Sequence, residues 1–388
     1  MLQHVLRHYR AILGSTPTIE TLGGAGGFSG AQLWRLSSSA GTWCLRRWPE
    51  GHPDEQRLRQ IHQFLAAAHR AELPVPLPQL AEDGRTYVRQ HAAWWELTPW
   101  LPGEADYLQE PCDDKLVAAI RTLARLHLAV APLSSPIAPT GNPTLPTWAP
   151  IPAKLSSQPH EPGIAPQKPQ KPQMSPQLGP QLGPSPALRE RWAMLGQTPQ
   201  RVGELQQAAG RLWPALRDSA AVIFRRAPSA AKWVLQQHRD APRLLTPQQW
   251  VVRDIWHDHV LFENDEVSGL VDFGAIRVDS VATDIARLLG SMEPVFGLSS
   301  PDPSGPLPDL DIASARWQQG LAAYQDVRPL SPAELELVQA LDRASAVLTG
   351  FSWLGWIAVE QRSFPGREQE ITRRLAQIAL RLRMVEQG

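Results

Sequence analysis

A pair of aspartates placed around one short apolar hairpin constrains this chain more than any other feature. Asp254 and Asp272 are eighteen positions apart. Residues 260–262 and 267–271 between them are apolar runs of strand length, separated by polar residues that suit a turn. A further apolar pair, residues 251–252, ends just before the first aspartate. The pattern therefore predicts a β-hairpin flanked by two carboxylates.

Two carboxylates around one hairpin suit phosphoryl transfer, which depends on positioning and on neutralising phosphate charge. Asp254 is the candidate for orienting a hydroxyl nucleophile, and Asp272 is the candidate for holding a divalent cation on nucleotide phosphates. A transition-metal site formed by His257, Asp258, His259 and Asp254 is an alternative, because histidines two residues apart on a strand face the same way. The sequence shows no further cluster that would supply the remaining ligands.

Length and charge limit the class of protein. At 388 residues the chain exceeds the usual size of one compact domain, so two lobes or two domains are expected. Lys plus Arg and Asp plus Glu each total 38, which argues against a general surface for nucleic acid or anionic membranes. Cys44 and Cys112 imply no disulfide framework, and the first residues lack the apolar run of a signal peptide. We therefore expect a cytoplasmic protein.

The first hundred residues predict a small β-rich unit with one helix. Apolar residues recur at helical spacing after Pro53, which suits a first helical position. Runs rich in Thr, Leu, Val and Trp have the composition of strands. A glycine cluster follows the first run, and its backbone N–H groups could cover phosphates. The predicted strands are residues 18–22, 31–36, 42–48, 85–89 and 93–98, and the glycines are Gly23, Gly24, Gly26 and Gly27.

The rest of the chain is predicted to be mostly helical, with one long polar insertion. Residues 115–128 form an amphipathic helix and residues 332–387 are mostly helix, with a buried apolar stretch at residues 344–359. Residues 131–186 are rich in Pro, Gln, Ser and Gly, which predicts a disordered or polyproline-II segment. This insertion could dock a partner weakly through its prolines. A loop expansion without function is the other interpretation, because no aromatic or charged anchor flanks a clean Pro-x-x-Pro core.

The order of motifs around the two aspartates resembles that of the protein-kinase superfamily. Arg253-Asp254 is followed by Asp272-Phe-Gly274 and then by Asp284-Ile-Ala286. The closer likeness is to the aminoglycoside phosphotransferase and choline-kinase-like family, in which a helix with the pattern Asp-x-Ala follows Asp-Phe-Gly. Leu101-Pro-Gly103 and Leu123-Ala-Arg-Leu-His127 also resemble landmarks of that family. The resemblance covers about residues 20–130 and 245–292.

The resemblance implies a two-lobed α+β fold of the protein-kinase type. A small β-rich N-lobe is expected at residues 1–99 and a larger, mostly helical C-lobe at residues 100–388. The implied activity is ATP-dependent phosphorylation of a hydroxyl group on a small molecule, with ATP and Mg²⁺ as cofactors. No nucleic-acid or membrane partner is expected. The acceptor cannot be identified, because no acidic cluster of the kind that a polycationic aminoglycoside needs is evident.

The resemblance also implies roles for individual residues. Asp254 would orient the acceptor hydroxyl, with Arg253 beside it as in protein kinases, and Asp272 would ligate magnesium. His259 stands where the family has an asparagine that completes the metal site, and Arg46 stands where the family has the phosphate-binding lysine. The nucleotide would also contact the glycine cluster and the residues at the hinge between the lobes. These hinge residues are Leu97, Thr98 and Trp100.

Departures from the family pattern motivate a competing function. Besides Arg46 and His259, the helix glutamate that normally pairs with the lysine is not evident. By spacing His62 is nearest to its position, and Glu55 lies one or two turns earlier. The alternative is therefore a catalytically impaired, kinase-like scaffold that binds a nucleotide or metabolite.

Three residues near the motifs receive structural interpretations. Asp284 is expected to cap the helix at residues 285–289 and to brace the segment that carries Asp254. His127 is expected to be a buried, hydrogen-bonded histidine rather than a ligand. Trp256, two residues after Asp254, is expected to face the acceptor pocket.

Overall fold

The computed structural model describes residues 2–23, 30–134, 181–364 and 366–385. An N-terminal sheet is followed by a larger helical part, which confirms the predicted two-lobed α+β fold. Gly24, Gly26 and Gly27 of the predicted glycine cluster lie outside the described residues, as do residues 135–180 of the predicted insertion.

The N-lobe is built on one antiparallel sheet of five strands, in the order β1-β2-β3-β5-β4. All five predicted strands are present. They are β1 (Thr18–Gly23), β2 (Gln32–Ser38), β3 (Gly41–Arg47), β4 (Val88–Gln90) and β5 (Ala93–Pro99). One face packs against the short helices α1 (Leu2–Arg7) and α2 (Arg10–Leu13), which bury Leu36, Leu45, Trp95 and Leu97 in a small core.

The N-lobe helix α3 (Glu55–Arg70) begins two residues later than its proline suggested. Asp54 is the N-cap, and its side chain accepts a hydrogen bond from the Arg57 N–H at 2.7 Å. The prediction that Pro53 occupies the first helical position is therefore wrong, because the carboxylate cap follows it. The apolar face of α3 is buried in the larger core, as its spacing predicted.

The C-lobe is mainly helical, and its helices surround two apolar clusters. Local signals set their starts: Ser331 and Glu334 form a capping box at the largest helix, directly before Pro332. The helices are α4 (Asp113–Val130), α5 (Pro186–Gly196), α6 (Thr198–Ala208), α7 (Arg217–Gln237), α8 (Ala282–Ser291), α9 (Leu310–Gln325), α10 (Pro332–Leu354) and α11 (Glu368–Met384).

Two C-lobe helices account for the longest apolar segments. Among the described residues, the segment Asp113–Leu133 is long and apolar enough to cross a membrane by length and composition alone. Most apolar residues of α4 are nevertheless buried in the larger core cluster, although Leu128 is half-exposed. The predicted buried stretch at residues 344–359 is confirmed as the second half of α10 and a π-helical turn, Gly355–Val359.

Short strands place the two aspartates. They form three antiparallel pairs: β6 (Leu182–Gly183) with β7 (Thr246–Pro247), β8 (Gln249–Val251) with β11 (Arg277–Asp279), and β9 (Val260–Glu263) with β10 (Glu266–Leu270). The last pair confirms the predicted hairpin, with Asn264 at a positive φ of 57° in its turn. Asp254 precedes β9 and Asp272 follows β10, so both lie beyond the open end of the hairpin.

The predicted landmark Leu101-Pro-Gly103 docks on this hairpin. Glu104 and Phe262 exchange two backbone hydrogen bonds of 3.0 and 2.9 Å, and the Ser268 hydroxyl donates to the Pro102 carbonyl at 2.8 Å. Gly103 has a φ of 84°, and a Cβ there would clash with the Phe262 carbonyl oxygen. Only glycine therefore lets the connection between the lobes approach the hairpin so closely.

The two ends of the predicted insertion are ordered. Residues Ala131–Ser134 form a 3₁₀ turn that continues α4, and β6 pairs with β7. Ser185 caps α5 and donates to the buried Asp279 carboxylate at 2.6 Å. The assignment of these ends to a disordered segment is therefore wrong, since buried polar and backbone contacts hold them.

The segment between β8 and the hairpin is held by one buried carboxylate. Asp284 accepts hydrogen bonds from the Val252 N–H at 2.6 Å and from the Arg253 N–H at 2.7 Å. Arg253 adopts a positive φ of 70°, a strained conformation for a residue with a side chain. The Asp284 carboxylate thus compensates the strain with two charge-assisted hydrogen bonds.

A histidine and a tyrosine hold Asp284 in turn. His127 Nε2 lies 3.0 Å from Asp284 Oδ2, and its Nδ1 lies 2.7 Å from the Tyr324 hydroxyl, with all three side chains buried. The predicted bracing role of Asp284 and the buried state of His127 are confirmed. The predicted capping role is wrong. Helix α8 begins at Ala282, two residues before Asp284, and Asp284 bonds to the neighbouring segment instead.

Replacing Asp284 by asparagine is expected to destabilise the protein by about 3 kcal/mol. One of the two buried acceptor oxygens becomes an NH₂ donor and leaves a backbone N–H without its partner. The free energy of unfolding in urea measures this. Asp326→Asn is the matched control, since Asp326 forms an exposed ion pair with Arg121, and its loss should cost no more than about 0.5 kcal/mol. Equal stability of the Asp284 variant and the parent would show that the network does not hold the fold.

Candidate active site

Asp254 presents a half-exposed carboxylate at the mouth of a cleft. Arg287 of α8 contacts its Oδ1 through Nη2 at 3.0 Å and through Nε at 3.2 Å. No hydrogen bond to Oδ2 is found in the described parts of the chain. The carboxylate is therefore oriented by a cation on one oxygen and is free to accept a proton donor on the other.

Asp272 lies close to Asp254 through His259. His259 Nδ1 donates to the Asp254 carbonyl oxygen at 2.9 Å, and His259 Nε2 lies 3.7 Å from Asp272 Oδ2. The Trp256 indole N–H donates to the same Nε2 at 2.8 Å. Burial lowers the pKa of His259, and these contacts match a neutral ring protonated on Nδ1. One imidazole thus bridges the two predicted functional aspartates.

The donor set around Asp272 fits a hard divalent cation held mainly by other oxygens. No group of three His, Cys, Asp or Glu side chains that could hold a metal occurs within residues 2–23, 30–134, 181–364 and 366–385. Mg²⁺ is usually held by one or two carboxylates together with water and phosphate oxygens, so Asp272 suits it. His259 Nε2 faces the same point, but the Trp256 N–H already occupies its lone pair.

The alternative transition-metal site is not supported. Residues His257–His259 form a 3₁₀ turn and not a strand, so their side chains do not share one face. His257 is buried and its Nε2 lies 3.0 Å from Asp258 Oδ1, whereas His259 points to Asp272. The local backbone therefore separates the two rings that the sequence pattern had grouped.

Arg46 on β3 has its carboxylate partner on the neighbouring strand. Arg46 Nε lies 3.7 Å from Glu96 Oε1, and the two residues are paired in register between β3 and β5. His62 of α3 contacts the other oxygen, with Nε2 at 2.8 Å from Glu96 Oε2. The helix position nearest to the expected glutamate is thus a histidine, and the glutamate is on the sheet. Glu55 is not the partner, since it bonds to Tyr87 and Arg59.

The Glu96 carboxylate is buried and ionised. Burial favours its neutral form, but the hydrogen bond and charge of His62 and the guanidinium of Arg46 outweigh burial and hold the pKa of Glu96 below its ordinary value. Sequence reasoning missed this residue. Its signal was a charged residue inside the otherwise apolar run of β5, where only a paired carboxylate is stable.

Arg46 is connected to the Asp272 segment through aromatic contacts. Its guanidinium lies 5.0 Å from the Trp48 ring centroid, and Trp48 packs directly against Gly274. Phe273, between Asp272 and Gly274, packs on Phe64 of α3 with ring centroids 5.7 Å apart. These contacts connect the strand cation of the N-lobe to the Asp272 segment of the C-lobe.

The remaining predicted nucleotide contacts differ in placement. Gly23 ends β1, directly before the undescribed glycines. Leu97 does not fit its predicted role, because its side chain is fully buried in the N-lobe core and its carbonyl accepts from the Gln79 N–H at 2.8 Å. Thr98 is buried on β5, while Trp100 exposes 36% of its surface and is stacked by Arg35. Trp100 is the most accessible of the three hinge residues.

Arg253 is placed as a supporting residue. Its Nη2 lies 2.6 Å from Glu190 of α5, and its Nη1 lies 3.9 Å from the buried Asp279. These ion pairs tie the segment before the hairpin to α5. The placement therefore favours a supporting role over the catalytic role expected from the sequence.

The chain matches the family described as "Phosphotransferase enzyme family" over residues 21–330. A homoserine kinase from Methylobacterium sp. (strain 4-46) is 30% identical over 157 residues, covering 36% of this chain and 45% of that protein. The match thus spans less than half the length of this curated relative.

Solved structures share the fold. Spectinomycin phosphotransferase in complex with ADP and spectinomycin has a TM-score of 0.59 at 9% identity, covering 100% of this chain and 98% of that one. An amicoumacin kinase in complex with AMP-PNP and Ca²⁺ has a TM-score of 0.55 at 13% identity, covering 99% of this chain and 93% of that one.

Removing the charge of Glu96 is expected to change the pH dependence of stability. Because its folded pKa is lowered, ionised Glu96 stabilises the fold above the ordinary carboxyl pKa of 4.5, and this contribution is lost as the pH falls through the lower folded value. The difference in unfolding free energy between the parent and Glu96→Gln should therefore be largest near neutral pH and shrink below pH 4.5. Glu266→Gln, an exposed change, should show little difference at any pH. A difference for Glu96→Gln that stays constant with pH would contradict the assignment.

Proposed function

The chain belongs to the phosphotransferase enzyme family, and on that premise we propose that it transfers the γ-phosphoryl group of ATP to a hydroxyl group of a small metabolite. Magnesium is the natural cation, since the one well-placed ligand is a carboxylate. In this proposal the N-lobe, residues 1–99, binds the nucleotide phosphates through Arg46. The C-lobe, residues 100–388, supplies the two aspartates.

The observation that carries the proposal is the bridge between Asp254 and Asp272. One imidazole, that of His259, touches the backbone of the first and faces the carboxylate of the second. Phosphoryl transfer needs the attacking hydroxyl and the bound phosphates within a few ångströms of each other. The contacts of His259 with the backbone of Asp254 and the carboxylate of Asp272 support one common site for the two residues.

The residues have distinct roles in this mechanism. Asp254 Oδ2 accepts the hydrogen bond of the acceptor hydroxyl and orients its oxygen towards the phosphate, while Arg287 keeps Oδ1 in place. Asp272 would hold the metal ion, which neutralises phosphate charge when bound. Arg46 supplies a second positive charge, and the contact with Glu96 limits its side-chain freedom.

The alternative function, an impaired scaffold, rested partly on the absence of a carboxylate partner for Arg46. The carboxylate that pairs with the strand cation is present as Glu96, and both Asp254 and Asp272 are accessible at the cleft. The relatives by name and the structural neighbours are kinases and phosphotransferases. Cytoplasmic location and the absence of nucleic-acid and membrane partners remain part of the proposal. The suggested docking role of the proline-rich segment falls on residues outside the described ranges.

Asp254→Asn tests the catalytic assignment. We expect kcat to fall by roughly 10²- to 10⁴-fold, because an amide cannot accept the hydroxyl proton as a carboxylate does. ATP affinity, measured by calorimetry, should stay within about twofold, since Asp254 faces the acceptor. Asp265→Asn, an exposed change in the turn of the same hairpin, is the control and should leave kcat unchanged. Retention of most activity by the Asp254 variant would remove it from the reaction.

His259→Asn tests the metal site. An amide oxygen is a harder ligand than an imidazole nitrogen, so Mg²⁺-supported transfer should be preserved or raised relative to Mn²⁺-supported transfer. Thermal shift with ATP gives a second readout: the variant should keep the Mg²⁺-dependent stabilisation, and Asp272→Ala should lose it. Tight zinc in the parent, combined with loss of transfer in His259→Asn, would instead indicate a transition-metal role for the histidine.

A further inference from the structure

A cleft next to Asp254 is lined mainly by arginines and small side chains. It lies between α8, α10 and α11 and is partly open to solvent. Arg287, which holds Asp254, is in its wall, and Arg374 of α11 is on the same surface. The cleft therefore begins where the acceptor hydroxyl would lie.

Arg287 and Arg374 flank a single indole. Their guanidinium carbons lie 5.9 and 5.1 Å from the ring centroid of Trp256, and that of Arg374 lies 4.6 Å from the centroid of Phe296. Two aromatic rings thus fix the position of Arg374 and remove much of the entropy cost of binding through a long side chain. Trp256, which was predicted to face the acceptor pocket, thus lies beside two arginines of this cleft.

Arg374 has no carboxylate partner within 4 Å among the residues that the structure describes. The third arginine of the wall, Arg381, differs because it is paired with Glu293 and Asp342. Asp258, the carboxylate with the strongest attraction for Arg374, contacts His257 at 3.0 Å. The Arg374 guanidinium therefore keeps donors available to the cleft.

The pKa values of two arginines reflect burial and neighbouring charges. Burial, with the repulsion of Arg287 and Arg381, lowers the pKa of Arg374 to about 10, against the attraction of Asp258 and Glu370. Burial and the repulsion of Arg287 and Arg253 lower the pKa of Arg191, on α5, to about 10 as well. Both arginines still carry their charge at neutral pH. An anion placed among them would relieve the repulsion.

The hydroxyl side chains of the cleft wall have no free donor for an anion. The hydroxyls of Ser345, Thr349 and Ser291 each donate to a carbonyl of their own helix, at 2.7, 2.7 and 2.8 Å. A hydroxyl whose proton is used in this way presents an oxygen that an anion avoids. The arginines are therefore the donors on which recognition in this cleft depends.

We propose that the acceptor is an anionic hydroxy compound, whose carboxylate or phosphate group is held by Arg374 and Arg287 while its hydroxyl meets Asp254. This inference rests on the proposed function and names its substrate class. Because Arg287 contacts Asp254 directly, the anionic group and the reacting hydroxyl are separated by only a few bonds. A cationic group placed directly against these two guanidinium groups would be repelled by them.

Matched acceptor pairs test the class. Transfer from ATP is followed with L-homoserine against L-homoserinamide, D-glycerate against its amide, and glycerol 3-phosphate against glycerol, with spectinomycin as the cationic acceptor. We expect kcat/KM to favour the member of each pair that carries the carboxylate or phosphate group by at least about tenfold. The first two pairs report a carboxylate ligand and the third a phosphate. Preference for an amide, for glycerol or for spectinomycin would overturn the inference and leave the proposed function intact.

Arg374→Met tests the residue with its volume largely kept. The KM for the preferred anionic acceptor should rise roughly ten- to hundredfold, and the preference within the pair should fall towards one. Arg374→Lys should recover part of the loss, because it restores the charge without the forked geometry. Arg201→Met is the matched control, since Arg201 is a half-buried helical arginine over Phe351 and outside the cleft wall. An unchanged preference in Arg374→Met would contradict the assignment.

A binding measurement separates this inference from the proposed function. Thermal shift without ATP is recorded with sodium phosphate and with the sodium salts of the hydroxy acids, against sodium chloride at equal ionic strength. The parent and Arg201→Met should be stabilised by the anions, and Arg374→Met should not. This result without transfer to any acceptor would sustain the anion site and reject the kinase activity. Equal stabilisation of Arg374→Met and the parent would reject the anion site whatever the activity.

Discussion

The Asp284 carboxylate is the contact on which the rest of the site depends. It accepts the N–H groups of Val252 and Arg253, and the strained φ of Arg253 directs the following residue, Asp254, towards the cleft. His127 contacts this carboxylate inside the core, and Tyr324 contacts His127 in turn. This series of hydrogen bonds thus connects the interior of the C-lobe to the backbone of its predicted catalytic segment. Positioning of this kind is most of what phosphoryl transfer requires of a protein.

In the N-lobe, too, a functional side chain is held by partners on other elements, here Arg46 by Glu96 and Glu96 by His62. A half-buried arginine is stabilised by a carboxylate, and a buried carboxylate needs enough partners to stay charged. Glu96 meets both needs because β5 is next to β3 in the sheet, so Arg46 and Glu96 face each other in register. His62 then occupies the helix position from which a carboxylate would have reached the cation. Arg46 is therefore paired with a carboxylate of the neighbouring strand, and a helix carboxylate is not needed to balance its charge.

Local pattern predicted the elements well where period and turn chemistry agree. The hairpin of β9 and β10, the five strands of the N-lobe and the helix α4 follow from alternation, helical spacing and polar turns. Two of the errors occurred where a residue's partner is distant in sequence. Asp284 was expected to cap its own helix, yet its partners lie more than thirty residues earlier. The ends of the proline-rich segment were assigned to disorder, yet Ser185 bonds to Asp279, 94 residues away. Composition reports local preference and cannot count such contacts.

The sequence by itself determined which chemistry is available: two aspartates around a hairpin, a strand-borne arginine, a histidine between the aspartates, and the order of motifs that identifies the family. Only the tertiary structure decided how these groups act. It paired Arg46 with Glu96, set the tautomer of His259 through Trp256, and brought Arg287 and Arg374 from separate helices to one indole beside Asp254. The physical reason is that hydrogen bonds and charge interactions act over a few ångströms in space, whatever the separation along the chain. Sequence spacing predicts neighbours within one helix or hairpin, and the packing of the two lobes decides all the others.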